Sequence, residues 1–343
     1  MSLFSLVQRI RKATNPPASP VPNATPRIGI LSATNLALDD PNVDAVYNPS
    51  PNGLHFEWTM KALAAGKHVL LEKPSADTAD ETRQMFEFAE SKGLVLLEAF
   101  HYRFHPAIAR VKAILDSGEL GPIKDLSASL ALPKGMFGPA DIRYDYSLGG
   151  GAMMDMGCYT MNVLRFLSAS EPTAVLSATA RTHPSPSATE QLVDAATTAT
   201  LAFPGGVTGT LVADLAKPWW ARGLLPPLPD VSVRVVCARG DVALFNFPGP
   251  FFYHSITVRA TDAGGRPETR VEKAYTFGDG RSEEAWWTTY RHQLDAFVDK
   301  VRGRTPRTWI SAEDSVNNMV WIEKVYEKTG LGSRPKSQYV HPK

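Results

Sequence analysis

Twice in succession a helical stretch stops at a glycine and gives way at once to a short apolar run. Asn52 to Ala65 leads through Gly66 into His68-Val69-Leu70-Leu71, and Thr78 to Lys92 leads through Gly93 into Leu94 to Phe100. Strands that are apolar along their whole length and alternate with helices require a parallel sheet covered on both faces. Two more apolar runs precede them, Arg27 to Ala33 and Asp44 to Ser50, and His105-Pro106 opens a helix through Leu115 that ends near Gly118 and Gly121. Residues 27–121 therefore read as a parallel α/β domain.

From Ile123 the texture changes. Ile123 to Leu132, Val175 to Thr182, Ala195 to Phe203, Val207 to Leu215, Val231 to Val236 and Ile256 to Ala260 alternate with a period of two and are rich in Val, Thr and aromatics. Turns such as Pro204-Gly205-Gly206 separate them, the pattern of an open antiparallel sheet. A helical insertion, about Ala152 to Leu167, lies between its first two strands. Two helices close the chain, Glu283 to Arg302 and one that starts at a Ser311 cap backed by Asp314 and runs to Gly330. Residues 122–330 thus form an α+β domain and 331–343 a tail. Leu201 and Phe203 alternate with Ala202, and Leu211 with Val212, so both sheet faces carry apolar groups, and a homodimer packed through the open face is expected.

The 343 residues, 43% hydrophobic and 21% charged, suit two ordinary globular domains. A formal net charge of +1 gives no electrostatic reason to bind nucleic acid. Cys158 and Cys237 sit in apolar contexts without metal-ligand spacing, which fits reduced thiols, a cytoplasmic location and no metal. No apolar run is long enough to cross a bilayer. Residues 1–26 begin with Leu3, Phe4, Val7 and Ile10 at helical spacing among basic residues, as a mitochondrial presequence does, but turn proline-rich, which suits a flexible arm.

Chemistry concentrates at two places. Glu72-Lys73-Pro74 closes a buried strand at the carboxyl edge of the parallel sheet, where ligands bind in α/β folds. A strand-end ion pair is the plainer account of it. In the insertion, Gly149-Gly150-Gly151 precedes Met153-Met154-Asp155-Met156-Gly157-Cys158-Tyr159. The glycines do not follow a strand of the parallel domain, so they read as a hinge for close approach rather than a phosphate cradle. Asp155 and Tyr159, four apart, share a helix face, and a buried Asp–Tyr hydrogen bond is the plainer account here. Together, however, Lys73 as cation, Tyr159 as proton acceptor and Asp155 as orienting partner make a set for oxidising an alcohol. A tyrosine of reference pKa near ~10 needs such a cation to act at neutral pH. The chemistry also needs a hydride acceptor, and nicotinamide suits a strand-edge cleft.

The chain resembles the glucose–fructose oxidoreductase / inositol dehydrogenase (Gfo/Idh/MocA) family from about Asp39 onward. The resemblance is carried by Asp44-Ala45-Val46-Tyr47, Pro51-Asn52-Gly53-Leu54-His55, Gly66 to Pro74, Glu98-Ala99-Phe100, Tyr102 to Pro106, Gly149 to Tyr159, and Tyr290, Gln293 and Phe297 in a closing helix. Many members have histidine where Tyr159 stands. Tyrosine there is similar to the branch of NADP-dependent D-xylose 1-dehydrogenases and dimeric dihydrodiol dehydrogenases. The resemblance implies that Lys73 and Tyr159 are catalytic, and Asp155, as their orienting partner, completes the catalytic set. It implies a cofactor, NADP with NAD as the alternative, held by Gly29, Ser32, Ser50, Asn52, His55, Glu72 and Lys73. A sugar or cyclic diol substrate would meet Arg103, Asp155 and Tyr159.

One departure stands out. Gly29 to Asn35 keeps the first strand and the start of its turn, but G-x-G-x-x-G is incomplete and about ten residues reach the next strand at Asp44. A strand–helix–strand unit takes about 30 residues. The element whose end selects the adenosine ribose therefore has no place, and the Rossmann-like domain is expected to be truncated, with its first strand at a sheet edge. Two readings follow: an NAD(P)-dependent sugar or diol dehydrogenase, or a non-catalytic dimerisation or regulatory subunit with impaired cofactor binding.

Overall fold

The computed structural model describes residues 11–15, 26–31, 36–185, 187–220, 225–261 and 265–341. Most of the expected N-terminal arm, and Ser32, lie outside them. Among the described residues the first sheet has four parallel strands in the order β1 (Ile28–Ile30), β2 (Ala45–Asn48), β3 (His68–Leu71), β4 (Leu96–Glu98). β1 pairs with β2 in the register Ile28↔Ala45, so strands brought together by the short connection are direct neighbours. β1 lies at the edge of the sheet, and Ile30 is 67% exposed. One helical turn, α1 (Leu36–Asp39), fills the connection. Gly29 packs closely there, since a Cβ on it would lie 2.9 Å from that of Ala37.

Burial follows the apolar runs. α2 (His55–Ala64) lays Phe56, Met60 and Leu63 on Val46, Val69 and Leu71 of the sheet. α3 (Ala79–Ser91) starts at Thr78, whose hydroxyl accepts the Glu81 amide, and adds Met85 and Phe86 to the same core. α4 (Pro106–Asp116) is capped by His105, as its sequence implied.

The second sheet has eight strands, mostly antiparallel: β5 (Ile123–Pro133), β6 (Ala174–Thr182), β7 (Asp194–Phe203), β8 (Val207–Lys217), β9 (Asp230–Cys237), β10 (Gly240–Phe245), β11 (Ser255–Thr261) and β12 (Pro267–Glu272), in the order β12-β11-β10-β9-β5-β8-β7-β6. β10 and β12 were not evident in the sequence. Asp241 interrupts the apolar alternation of β10, and it is held by Arg234 of β9 and Arg259 of β11. β12 is a charged edge strand, with Arg270 paired to Glu272 on its own strand.

The insertion holds a π-helical turn, Met153–Gly157, that continues into α5 (Cys158–Ser168). α6 (Thr289–Val301) starts six residues later than its amphipathic pattern suggested, because the Glu283 carboxylate folds back to accept the Phe277 and Gly278 amides and Thr288 takes the cap. α7 (Ala312–Thr329) has its Ser311 cap accepting from the Asp314 amide at 3.0 Å.

Two compact units emerge. One draws on residues 26–100, 128–230 and 310–341; the other draws on 11–15, 101–127 and 231–309. The first contains the parallel sheet, β6 to β8, α5, α7 and the tail, and therefore every site residue discussed below except Arg103.

Candidate active site

Lys73 stands where β3 ends. Its ammonium lies 2.9 Å from Asp155 Oδ1 and 2.9 Å from the Asp155 carbonyl, and 4.9 Å from the ring centre of Tyr159. The three residues singled out for alcohol chemistry are thus brought together. Tyr159 also meets Phe100 edge to face, with ring centres 5.6 Å apart. Asp155 occupies the π-helical turn, a widened geometry often found at functional positions.

The sequence did not reveal a second cation. Arg143 Nε donates to Asp155 Oδ2 at 2.8 Å, Nη1 donates to Asp141 at 3.0 Å, and the guanidinium lies 4.4 Å from the centre of the Phe137 ring. Each Asp155 oxygen therefore accepts from a different cation. Burial raises its pKa, but Lys73 and Arg143 outweigh burial and hold it below the ordinary carboxylate value. For Lys73 burial acts downward, yet the Asp155 charge wins and the pKa is raised. Lys73 is consequently a fixed cation at neutral pH. The Cys158 thiol beside it is pushed up by burial and stays protonated.

Asn52, Arg143 and Asp155 share a cavity of about 50 Å³, open to solvent, with Pro51, Ile142, Leu148, Gly150 and Gly151. Asn52 Nδ2 donates to the Gly149 carbonyl at 3.1 Å. The three glycines are there for close approach. A Cβ on Gly149 would strike the Asp77 carboxyl, one on Gly150 the Asp145 and Arg143 carbonyls, and one on Gly151 Asp194 and Tyr326.

The remaining expected residues take varied positions. Ser50 donates its hydroxyl to Asn48 at 2.6 Å, and Glu72 accepts from the Tyr47 hydroxyl at 2.6 Å. His55 is fully buried, its ring nitrogens 2.8 and 2.7 Å from the carbonyls of Pro74 and Ser50. Burial takes its pKa down to about 4, so the ring is neutral and donates to one of the two. It braces the two backbone turns that present Asn52 and Lys73. Gly29 packs against α1, and Arg103 is buried in the other unit. Among the described residues there is no cluster of three or more metal-ligating side chains, and no helix is long and apolar enough to cross a membrane.

A Rossmann-like parallel sheet thus presents a lysine at a strand end to an acidic and phenolic helix. The model of the oxidoreductase family with NAD-binding Rossmann fold matches residues 15–100, and that of the GFO/IDH/MocA C-terminal domain matches residues 108–243. The chain is 32% identical over 299 residues to D-xylose 1-dehydrogenase (NADP(+)) 2 of Haloferax volcanii, covering 86% of this chain and 81% of that protein. It belongs to the Gfo/Idh/MocA family of oxidoreductases. The trans-1,2-dihydrobenzene-1,2-diol dehydrogenase of Mus musculus is 31% identical over 52% of this chain and 51% of its own. Among solved structures, a 3-ketoreductase from Actinomadura kijaniata in complex with NADP and TDP-benzene superposes with a TM-score of 0.70 at 26% identity, covering 87% of this chain and 82% of that one. An aldose-aldose oxidoreductase from Caulobacter crescentus complexed with glycerol gives 0.68 at 26% identity, covering 85% and 79%.

Asp77 yields a prediction. It is 3% exposed, and neither carboxyl oxygen has a hydrogen-bond partner among the described residues. Burial, with repulsion from Glu81 and against attraction to Arg334, pushes its pKa up to about 8. The folded state then holds a proton that the unfolded chain releases near its ordinary 3.8, so the stabilisation is complete below about pH 4 and lost as pH rises to about 8. Asp77→Asn should become progressively more stable than the parent across that window, by up to about 1.4 kcal/mol per pH unit, and level off above it. Urea unfolding at a series of pH values checks this; a pH-independent difference would show that Asp77 is ionised in the fold.

Proposed function

We propose that the chain oxidises a ring hydroxyl of a small polyol, either a D-xylose-like pyranose or a cyclic diol, with NADP as cofactor and NAD as the alternative. The observation that carries this reading is the Lys73 ammonium held by Asp155 against Tyr159. In this role the Tyr159 phenolate oxygen accepts the hydroxyl proton, and the fixed charge of Lys73 stabilises that phenolate. Asp155 orients Lys73, and Arg143 keeps Asp155 ionised and flanks the cavity that would receive the substrate. The xylose and diol dehydrogenases among the relatives support the substrate class.

NADP, when bound, supplies the hydride acceptor. The residues present suit its nicotinamide end, where Asn52 lines the cavity and Lys73, held by Asp155 of the same lining, follows Glu72 at the strand end. They do not suit its adenosine end as well. β1 is an edge strand joined to β2 by a connection with one helical turn among its described residues, which leaves no strand end to select the ribose. That observation favours the second reading, a subunit whose cofactor binding is impaired.

Three outcomes are expected. Turnover of D-xylose at saturating NADP should fall at least ~10²-fold in Tyr159→Phe, the scale of a lost general base; an unchanged kcat removes the tyrosine from the mechanism. NADPH fluorescence titration should give an affinity ~10²-fold or more below that of a relative with a complete strand–helix–strand unit, the scale of two or three lost charge-assisted hydrogen bonds. Micromolar binding would rule out the impairment. Light scattering at micromolar concentration should give a homodimer through the open face of the second sheet, where Ala202 and Val212 stay partly exposed while Leu201, Phe203 and Leu211 are buried; a monomer would contradict it.

A further inference from the structure

The helix bearing Asp155 and Tyr159 begins over a buried carboxylate. Asp194, at the start of β7, accepts the Met153 amide on Oδ2 at 2.7 Å and the Thr197 hydroxyl on the same oxygen at 2.6 Å. Its other oxygen accepts the Tyr326 hydroxyl from α7 at 2.8 Å and Arg334 Nη2 at 3.0 Å. Both side chains of the Arg334–Asp194 pair are 0% exposed. Arg334 comes from the tail. It also donates Nη1 to the Leu192 carbonyl at 3.2 Å and stacks on Tyr326, with 4.0 Å between guanidinium and ring centre.

On its other side Arg334 reaches the wall of the cavity. Its guanidinium lies 5.3 Å from the centre of the Tyr146 ring, and the Tyr146 hydroxyl donates to the Ser333 carbonyl at 3.3 Å. Tyr146 opens the short turn that ends in Leu148, and Leu148 lines the cavity. A Cβ on Gly151 would strike Asp194, Tyr326 and Arg334 together, so the glycine segment rests on this network. Beyond Arg334 the tail crosses α3 and reaches α2. Lys336 pairs with Asp80 at 3.0 Å, the Ser337 amide donates to Glu81 at 2.7 Å, and Tyr339 meets Phe56 edge to face.

We propose that Arg334 is a positioning residue of the site. It fixes Asp194 beneath the first turn of the Asp155–Tyr159 helix and holds Tyr146 beside the cavity wall, so that the C-terminal tail sets the geometry of residues more than 170 positions away. Without the guanidinium, Asp194 would keep a buried charge with two hydroxyls and one amide against it, an undercompensated arrangement. The loss should be felt where that amide lies, at Met153, and relayed to Asp155 two residues on. The word "site" rests on the proposed function; the anchoring of the helix does not.

Hydrogen exchange read by mass spectrometry on the full chain, without substrate or cofactor, tests this. In Arg334→Met, the segment 151–160 should exchange about tenfold faster or more while β7 and β8 stay within about twofold, the pattern of a local opening. Lys336→Ala, which removes only the tail's surface pair, should leave 151–160 unchanged. If Arg334→Met does not fold, Arg334→Lys keeps the charge and should show the same local acceleration to a smaller degree. Uniform acceleration across the unit, protection of 151–160 equal to the parent's, or the same effect from Lys336→Ala would each overturn the proposal. Because the readout needs no turnover, a null result here and a null result with D-xylose and NADP identify different errors.

Discussion

One carboxylate shared between two cations organises the site. Asp155 takes Lys73 from the end of β3 on one oxygen and Arg143 from the loop before the glycines on the other. Burying such a group is costly, and the cost is offset only when the geometry is good and each lone pair is used. Here both oxygens accept at under 3 Å, and Asp141 engages the outer side of Arg143. The result is a lysine that is only 13% exposed yet permanently charged, placed over a tyrosine ring. Removing the Asp155 carboxylate would leave Lys73 with the Asp155 carbonyl and Arg143 with Asp141.

Much of this was legible in the sequence because it is local. The strand end at Lys73, the Ser311 cap, the glycine stops and the Asp155–Tyr159 spacing are short-range signals, and each element lies where those signals put it. The edge position of β1 followed from a count of residues between two apolar runs. What escaped notice is long-range. Arg143 precedes Asp155 by 12 residues in a loop without periodicity, and Asp194 caps Met153 across 41 residues. Arg334 reaches Asp194 from a distance of 140. No pattern in a single chain marks an arginine in a polar tail as fully buried. β10 escaped because its only inward charge is neutralised by strands on both sides, a pairing that exists only once the sheet has formed.

The chain thus keeps the Lys73–Asp155–Tyr159 cluster while its parallel sheet has four strands among the described residues. These two facts are compatible because the doubly wound order places the lost elements on one flank of the sheet. β3 and β4, which present Lys73 and lead to Phe100, lie away from that flank. An alteration confined to one edge leaves the core of Val46, Val69, Leu71 and Leu96 continuous with α2 and α3.

The glycine segment has a consequence for how this protein can be altered. At Gly149, Gly150 and Gly151 even a methyl group would meet a carboxyl, a carbonyl or a buried tyrosine. At these three positions there is no room for a side chain. Ile142 and Leu148 are the larger apolar side chains that line the same pocket, whereas Phe137 supports Arg143. A library aimed at this pocket would vary Ile142 and Leu148 and hold the glycines constant.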